Sequence, residues 1–417
     1  AKFVMFKRPF EEVLSAENLI AIDKIVVKER NTDLTELVEN VVDTADYRVF
    51  PVLQEDLLED GWEYPAGYDR GRGKFKAGSY GGNKWGGKFL RAPAIFYTIL
   101  RKGKGKLVRL GDIAEVRFGI KTGANEFFYL PSKYFDIKEE GDYYRLIPKQ
   151  DGLPADIRIE NEFLKPVIKS PRECKTIVIK PEELKYKVFL CNKSKEELEG
   201  TGALKYIEWG EKKEIEIKSG GDKGKKLKGY HLLETIRNRR RWYELSKLPS
   251  ADVLFRQFFN DIFNYPVNPK GYLTDHTFYY IHLKDEEDIL KFGMILNSTV
   301  SCLLTELYGR RNLAEGVLTT YGPEMRPLPV IKPEFIRETK TFTKLGKREI
   351  RSIFEECGID PSKPIREQDP NPLPDRAELD NIIFDELGLT EEERKEVYWS
   401  VCELVKQRLE KARSLKK

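Results

Sequence analysis

Short runs of alternating apolar and polar residues, rich in Val, Ile, Phe and Tyr, occupy much of this chain, and a helical period takes over towards its C-terminal end. "LIAIDKIVVKERN" (19–31) alternates as a half-buried strand should, and "LTELVENVV" (34–42) reads as a short helix. Strands are predicted at 114–118 and 126–130, on either side of a Gly-containing loop. Others are predicted in "KTIVIKP" (175–181), "YKVFLCN" (186–192), "DVLFRQFF" (252–259) and "TFYYIHL" (277–283). Beyond residue 285, Ile289, Phe292, Leu296, Val300, Leu303 and Leu307 form the stripe of a long helix that Gly309 ends. The expected fold class is α+β: a mixed, mostly antiparallel sheet with one long helix, closed by the Pro-rich "MRPLPVIKPEF" (325–335).

The tail opens on "DPNPLPD" and carries two helical patterns, each with a predicted capping box, Asp375 with Glu378 and Thr390 with Glu393, separated by Gly388. Val397, Val401, Leu404, Val405 and Leu409 give the last helix one apolar face, so a C-terminal α-helical hairpin packed on the body is expected. Four regions follow from these breaks: 1–60, too small to stand alone; 61–106, a Gly/basic linker or DNA-wrapping arm; 107–335, the α+β unit; and 336–417, the helical end.

The 417 residues allow two or three domains. Neither a spanning apolar segment nor a signal-peptide layout is visible, so a cytoplasmic protein without a membrane partner is expected. Five scattered cysteines fit neither a disulfide framework nor a CxxC metal site. Charged residues form 34% of the chain, mostly Lys and Glu, a pattern of proteins that work at high temperature. The net charge of +4 conceals local excess. Residues 62–125 hold about fourteen Lys and Arg against about four acids, and 218–247 about ten against three, the imbalance a polyanion attracts.

Signatures of catalysis are missing. No GxSxG, HExxH or GxxxxGK[ST] occurs, and the three histidines, His231, His276 and His282, have no third ligand nearby in sequence. No catalytic, cofactor-binding or metal-binding residue is assigned. What remains is cations interleaved with glycines and aromatics. In "RNRRRWYELSKL" (237–248) a helix would put Arg237, Arg240 and Arg241 on one face ahead of Trp242, with Arg239 pointing elsewhere; guanidinium forks suit phosphates and guanine edges, and aromatic faces stack on bases. Arg310, Arg311 and Asn312 follow the long helix in a Gly-containing loop.

"KWGGKFLRAP", "LGDIAEVRFGIKTGANEFFYL", "LTDHTFYYIHLK", "LNSTVSCLLTELYG" with "GVLTTYGPEMRPLPV", and "RAELDNIIFDELGLT" together resemble the C-terminal half of TaqI-like N6-adenine DNA methyltransferases, which include Eco57I-type restriction-modification enzymes and phage-defence methylases. The resemblance spans roughly residues 84–405 and implies a target recognition domain that grips double-stranded DNA beside a catalytic domain. It also implies that 1–60 is the remnant of an upstream methyltransferase domain of the same polypeptide, and that S-adenosylmethionine serves that domain. Neither the family's Gly-rich cofactor loop nor its Asn-Pro-Pro-Tyr motif stands in this sequence; "NYPV" (264–267) is the nearest approach, so this chain alone is expected to be inactive. In the 119–125 loop, Gly119 and Gly123 then allow close backbone approach, and Lys121, Thr122 and Asn125 offer donors to phosphates or base edges. The alternative is a protein-protein interaction domain of a restriction or defence complex, docking through its helical hairpin.

Overall fold

Ser15 decides the conformation of the N-terminal segment. Its side chain accepts a hydrogen bond from Asn18 N at 3.1 Å and starts the helix Ala16–Lys24, with Glu17 in the first turn and Lys24 in the last. The strand expected at 19–31 is therefore a helix over its first part, with Ile22 buried and Leu19 and Ile20 exposed, and its end lies outside the described residues. The computed structural model describes residues 1–414 apart from 29–35, 66–67, 70–72, 83–84, 218–222, 247–249, 285–288, 313–315 and 338–341.

The α+β class holds, but the strands form several small sheets. Phe278–Leu283 is the central strand of the most buried one, antiparallel to Val253–Arg256 on one side and Ala114–Phe118 on the other, with Phe118 opposite Tyr279 and Phe255 opposite the same tyrosine. Below it lies the principal core, an apolar cluster that extends from Val38 to Val405. The expected long helix is two, Ile289–Leu296 and Thr299–Tyr308. Asn297 breaks it, its amide donating to Gly293 O and Tyr265 O at 2.8 Å, and Ser298 caps the second segment.

A second core belongs to residues 124–245. Phe127, Phe128, Tyr206 and Trp242 fill it, between the antiparallel strands Phe135–Glu140, Tyr143–Pro148 and Arg158–Glu160 and the helix Gly202–Lys212. The predicted strand at 126–130 is a turn of helix, Asn125–Phe128, followed by the two-residue strand Tyr129–Leu130. Residues 175–181 make only isolated bridges, Thr176 to Glu349 and Val178 to Val267. A four-stranded sheet joins the two cores: Leu164–Ile168 lies between Tyr186–Phe189, antiparallel, and Leu273–Thr274, parallel.

Two expected boundaries are not edges of the core. Gly87, Lys88 and Phe89 are buried in a π-helical turn, Gly86–Arg91, and Phe96 and Leu100 of the following helix enter the principal core, so the second half of the 61–106 segment is scaffold and not a free arm. The tail helices Pro374–Leu387 and Glu391–Ser414 share that core through Leu379, Ile383, Val397, Val401, Leu404 and Val405. The Thr390 box forms as read, with Thr390 N donating to Glu393 at 2.7 Å. The Asp375 box does not: Pro374 opens that helix, and Asp375 instead accepts from Arg348 Nε at 2.6 Å. No described helix is long and apolar enough to cross a membrane.

Candidate nucleic-acid interface

Gly119 ends the Ala114–Phe118 strand where it meets the turn at 274–276. Ile120 N donates to Thr274 O at 2.7 Å and His276 N returns the bond to Ile120 O at 3.2 Å, so a Cβ on Gly119 would run into the Thr274 and Asp275 carbonyls. Gly119→Ala is expected to destabilise the protein by about 1–3 kcal/mol, read as a shifted urea midpoint at constant m, because backbone must move to admit the methyl. Gly123 needs its glycine for a different reason: φ is +71°, and an added Cβ would lie 2.6 Å from Ile236 Cγ2.

Ile236 belongs to the basic segment, so the loop and that segment meet. Arg239 fastens them. Its Nη2 donates to Lys121 O at 3.2 Å and Thr122 O at 2.8 Å, its Nη1 donates to Glu244 O at 3.4 Å, and Thr235 Oγ1 donates to Gly123 O at 2.8 Å. The residue that a helical reading pointed away is thus the one that joins both elements. That reading fails because residues 234–243 form successive turns, and burial of Arg239 lowers its pKa from the usual arginine range.

The other end of the loop connects to the third predicted segment. Gln257 Nε2 donates to His276 O at 2.7 Å, and Thr320 N donates to Gln257 O at 2.9 Å. Phe258 faces Thr319 across the strand pair, and Thr319 faces Arg310. A row of rings parallels this backbone path: Phe118 to Tyr279 at 4.2 Å, Tyr279 to Tyr321 at 6.4 Å, and the Arg310 guanidinium 5.4 Å from the Tyr321 ring. The first two predicted segments thus form one rim joined by Arg239, and the third is linked to it from behind through Gln257 and the buried Tyr279 ring.

Their residues are not equivalent. Lys121, Gly123, Asn125, Arg237 and Arg240 are exposed, with the Lys121 ammonium 4.3 Å from the Phe118 ring. Arg241 is held by Glu244 at 3.1 Å and Arg310 by Glu324, both half-buried. Four assignments need correction. Gly119 is buried against the 274–276 turn, and Thr122 is 1% exposed with its hydroxyl spent on Asn125 Oδ1 and Ala124 N. Trp242 is 8% exposed, packed on Phe127 at 4.6 Å, and its indole donates to Glu211 at 2.9 Å, because a ring that large fills the second core.

Arg311 lies 3.3 Å from the buried Glu306 and donates to Leu404 O, while Asn312 is placed by its backbone opposite Val317. Glu306 also holds the buried Arg408, and burial together with the neighbouring Arg311 lowers the pKa of Arg91 to about 10. This group binds the tail helix to the hairpin that carries Arg310.

Sequence reasoning missed Phe118, Gln257, Phe258 and His276. Phe258 is 59% exposed, but parity with Arg256 could not have found it, because the strand breaks at Gln257 and Arg256 turns inward to donate to Cys174 O at 2.9 Å. His276 and His282 are each beside an aspartate, Asp275 at 3.2 Å and Asp252 at 3.0 Å, and among the described residues no cluster of His, Cys, Asp and Glu could hold a metal.

"NYPV" does not offer a place for an adenine: Asn264 and Tyr265 are fully buried, the amide donating to Cys174 O at 2.9 Å and the phenol bonded to Thr305. These two buried residues do not fit a site for S-adenosylmethionine-dependent transfer.

The family described as "Type II methyltransferase M.Eco57I, C-terminal domain" matches residues 82–356. Among solved structures the chain is similar to the type IIG restriction endonuclease BpuSI, with TM-score 0.43 and 11% identity, over 76% of this chain and 33% of that one. It thus spans about a third of that enzyme's length. No curated protein matches the sequence. The matched region covers all three predicted segments, the second core and the central part of the principal core, and the chain belongs to the family of type II methyltransferase C-terminal domains represented by M.Eco57I.

Proposed function

We propose that this chain is the sequence-specific double-stranded DNA recognition module of an N6-adenine DNA methyltransferase or restriction-modification enzyme, and that it positions DNA for methyl transfer by a separate catalytic domain. The observation that carries this reading is the Arg239 fastening, which holds an exposed donor loop and an exposed cationic segment on one rim. Arg237 and Arg240 supply sequence-independent grip on phosphates, while Lys121 and Asn125 approach base edges. S-adenosylmethionine would be held by the catalytic domain, which on this reading is the partner of the module along with DNA.

Duplex affinity is expected to fall steeply with salt, and Arg240→Ala to weaken binding to all sequences and reduce the log–log salt slope by about one. Fluorescence anisotropy on a random duplex across a salt series measures both; absence of binding at low salt would defeat the proposal. Lys121→Ala and Asn125→Ala should instead cost about 1–3 kcal/mol per base contact on a selected cognate duplex and much less on random DNA. The docking-hairpin alternative is weakened by the structure, because the apolar face of the last helix is occupied within the principal core.

A further inference from the structure

Two depressions, the first of them lined by Ile120 of the loop, share one side chain. The first, about 540 Å³, lies between the cores and is lined by Ile120, Leu190, Leu245 and Leu273, with Asn192, Glu244, Ser246 and Arg239 among its polar groups. The second, about 420 Å³, is lined by Lys195, His231, Arg237 and Arg241 against Glu196. Arg240 borders both. The structure shows no ion pair for it among the described residues, and it is exposed.

We infer that this pair of depressions is a binding site for a single unstacked nucleotide, its base in the apolar depression and its phosphate at Arg240 on the cationic side. Leucine and isoleucine side chains offer flat-sided, non-hydrogen-bonding walls to the faces of a heteroaromatic ring. Three of them, Leu190, Leu245 and Leu273, are supported from behind by the cluster of Tyr129, Val167 and Val188. Asn192 and Ser246 are exposed and can both donate and accept, matching the mixed edges of a base. The volume falls within the range of sites that enclose small ligands.

The frame is also rigid. Arg239 is bonded on one side to Lys121 O and Thr122 O and on the other to Glu244 O, so it fixes the distance between opposite walls. An apolar recess whose mouth carries an unpaired guanidinium selects a flat apolar body with an anionic tail, which is the chemistry of a nucleotide removed from its stack. Two sources share that chemistry: an extrahelical nucleotide of bound DNA, which rests on the function proposed above, and a free nucleoside monophosphate, which does not.

The test uses the full chain with a duplex carrying a single unpaired 2-aminopurine, the same duplex fully paired, and each of the four deoxynucleoside monophosphates. The bulged duplex is expected to bind about tenfold tighter than the paired one, because its unpaired base has little stacking to give up, and 2-aminopurine fluorescence should change on binding. Asn192→Trp and Ser246→Trp replace exposed residues at the mouth, so they should keep the fold, verified by near-ultraviolet circular dichroism, and abolish the preference while leaving paired-duplex affinity unchanged.

Monophosphate binding that both tryptophans block, without any bulge preference, would establish the site and assign it to free nucleotide, even if duplex DNA does not bind at all. A bulge preference that survives both tryptophans would overturn the inference by placing the base elsewhere. Equal binding of the two duplexes together with no monophosphate binding would overturn it outright.

Discussion

Arg376→Ala is expected to reduce the unfolding free energy by about 3–5 kcal/mol, the loss typical when one member of a buried charge group is removed. Arg376 is 1% exposed, its Nε donates to Glu356 at 3.1 Å, and its Nη1 donates to Asn297 O at the break between the two central helices. Glu356 is equally buried and also accepts from Arg348 at 2.7 and 2.8 Å. Asp380, fully buried, accepts from the backbone and side chain of Thr299 at 2.7 and 2.6 Å; burial raises its pKa and Arg376 opposes that shift.

Alanine would leave Glu356 and Asp380 with less positive charge than burial at this site requires. It would also release the helix break from the tail. Guanidinium denaturation measures the loss, and a change below about 1 kcal/mol would show that the group contributes no net stability. Adding Asp380→Asn to the variant should recover part of the loss, since Glu356 keeps Arg348 whereas the buried Asp380 carboxylate loses the charge that offsets its burial.

Arg239→Ala is the substitution expected to affect DNA binding most. Three carbonyl oxygens on two segments depend on this one guanidinium, and each bond to a charged donor is worth about 1.5–3 kcal/mol when geometry is good. Without it the loop and the basic segment become independent, and cognate affinity should fall by at least about tenfold. The salt slope should hardly change, because this cation is spent on backbone rather than on phosphate. Arg239→Lys keeps the charge but lacks the fork, so it should behave like alanine. Duplex titrations over a salt series, with hydrogen exchange of residues 119–125, decide the matter: wild-type cognate affinity in the lysine variant would refute the fastening role.

Much of the scaffold was legible where one residue pattern had one solution. The strands Ala114–Phe118, Tyr186–Phe189 and Phe278–Leu283 were read because their Val, Ile, Phe and Tyr side chains suit a buried sheet whatever pairs with them. Gly388 and the Thr390 box marked the tail because caps act within a few residues. Reading failed where a distant partner decided. Asp375 looks like a cap until Arg348 claims it, and Trp242 looks like a stacking ring until the second core encloses it.

The 119–125 loop was found, but its anchor was not, because Arg239 and Thr122 are 117 residues apart and no spacing rule links them. The long helix was divided for the same reason: Asn297 satisfies its amide on Tyr265, from another part of the chain.

The chain of the second core first leaves the scaffold just after the Lys121 loop and makes its last return through the segment carrying Arg239, so first departure and last return are fastened together at Gly123 and Thr235. Between the two the chain comes back once: Val167 and Ile168 pair with Leu273 and Thr274, Ile177 enters the principal core, and Thr176 and Val178 bridge to Glu349 and Val267. Such an arrangement lets evolution, or an engineer, exchange the lobe in two stretches, one on each side of residues 164–179, while the helices and tail that hold the rim stay untouched.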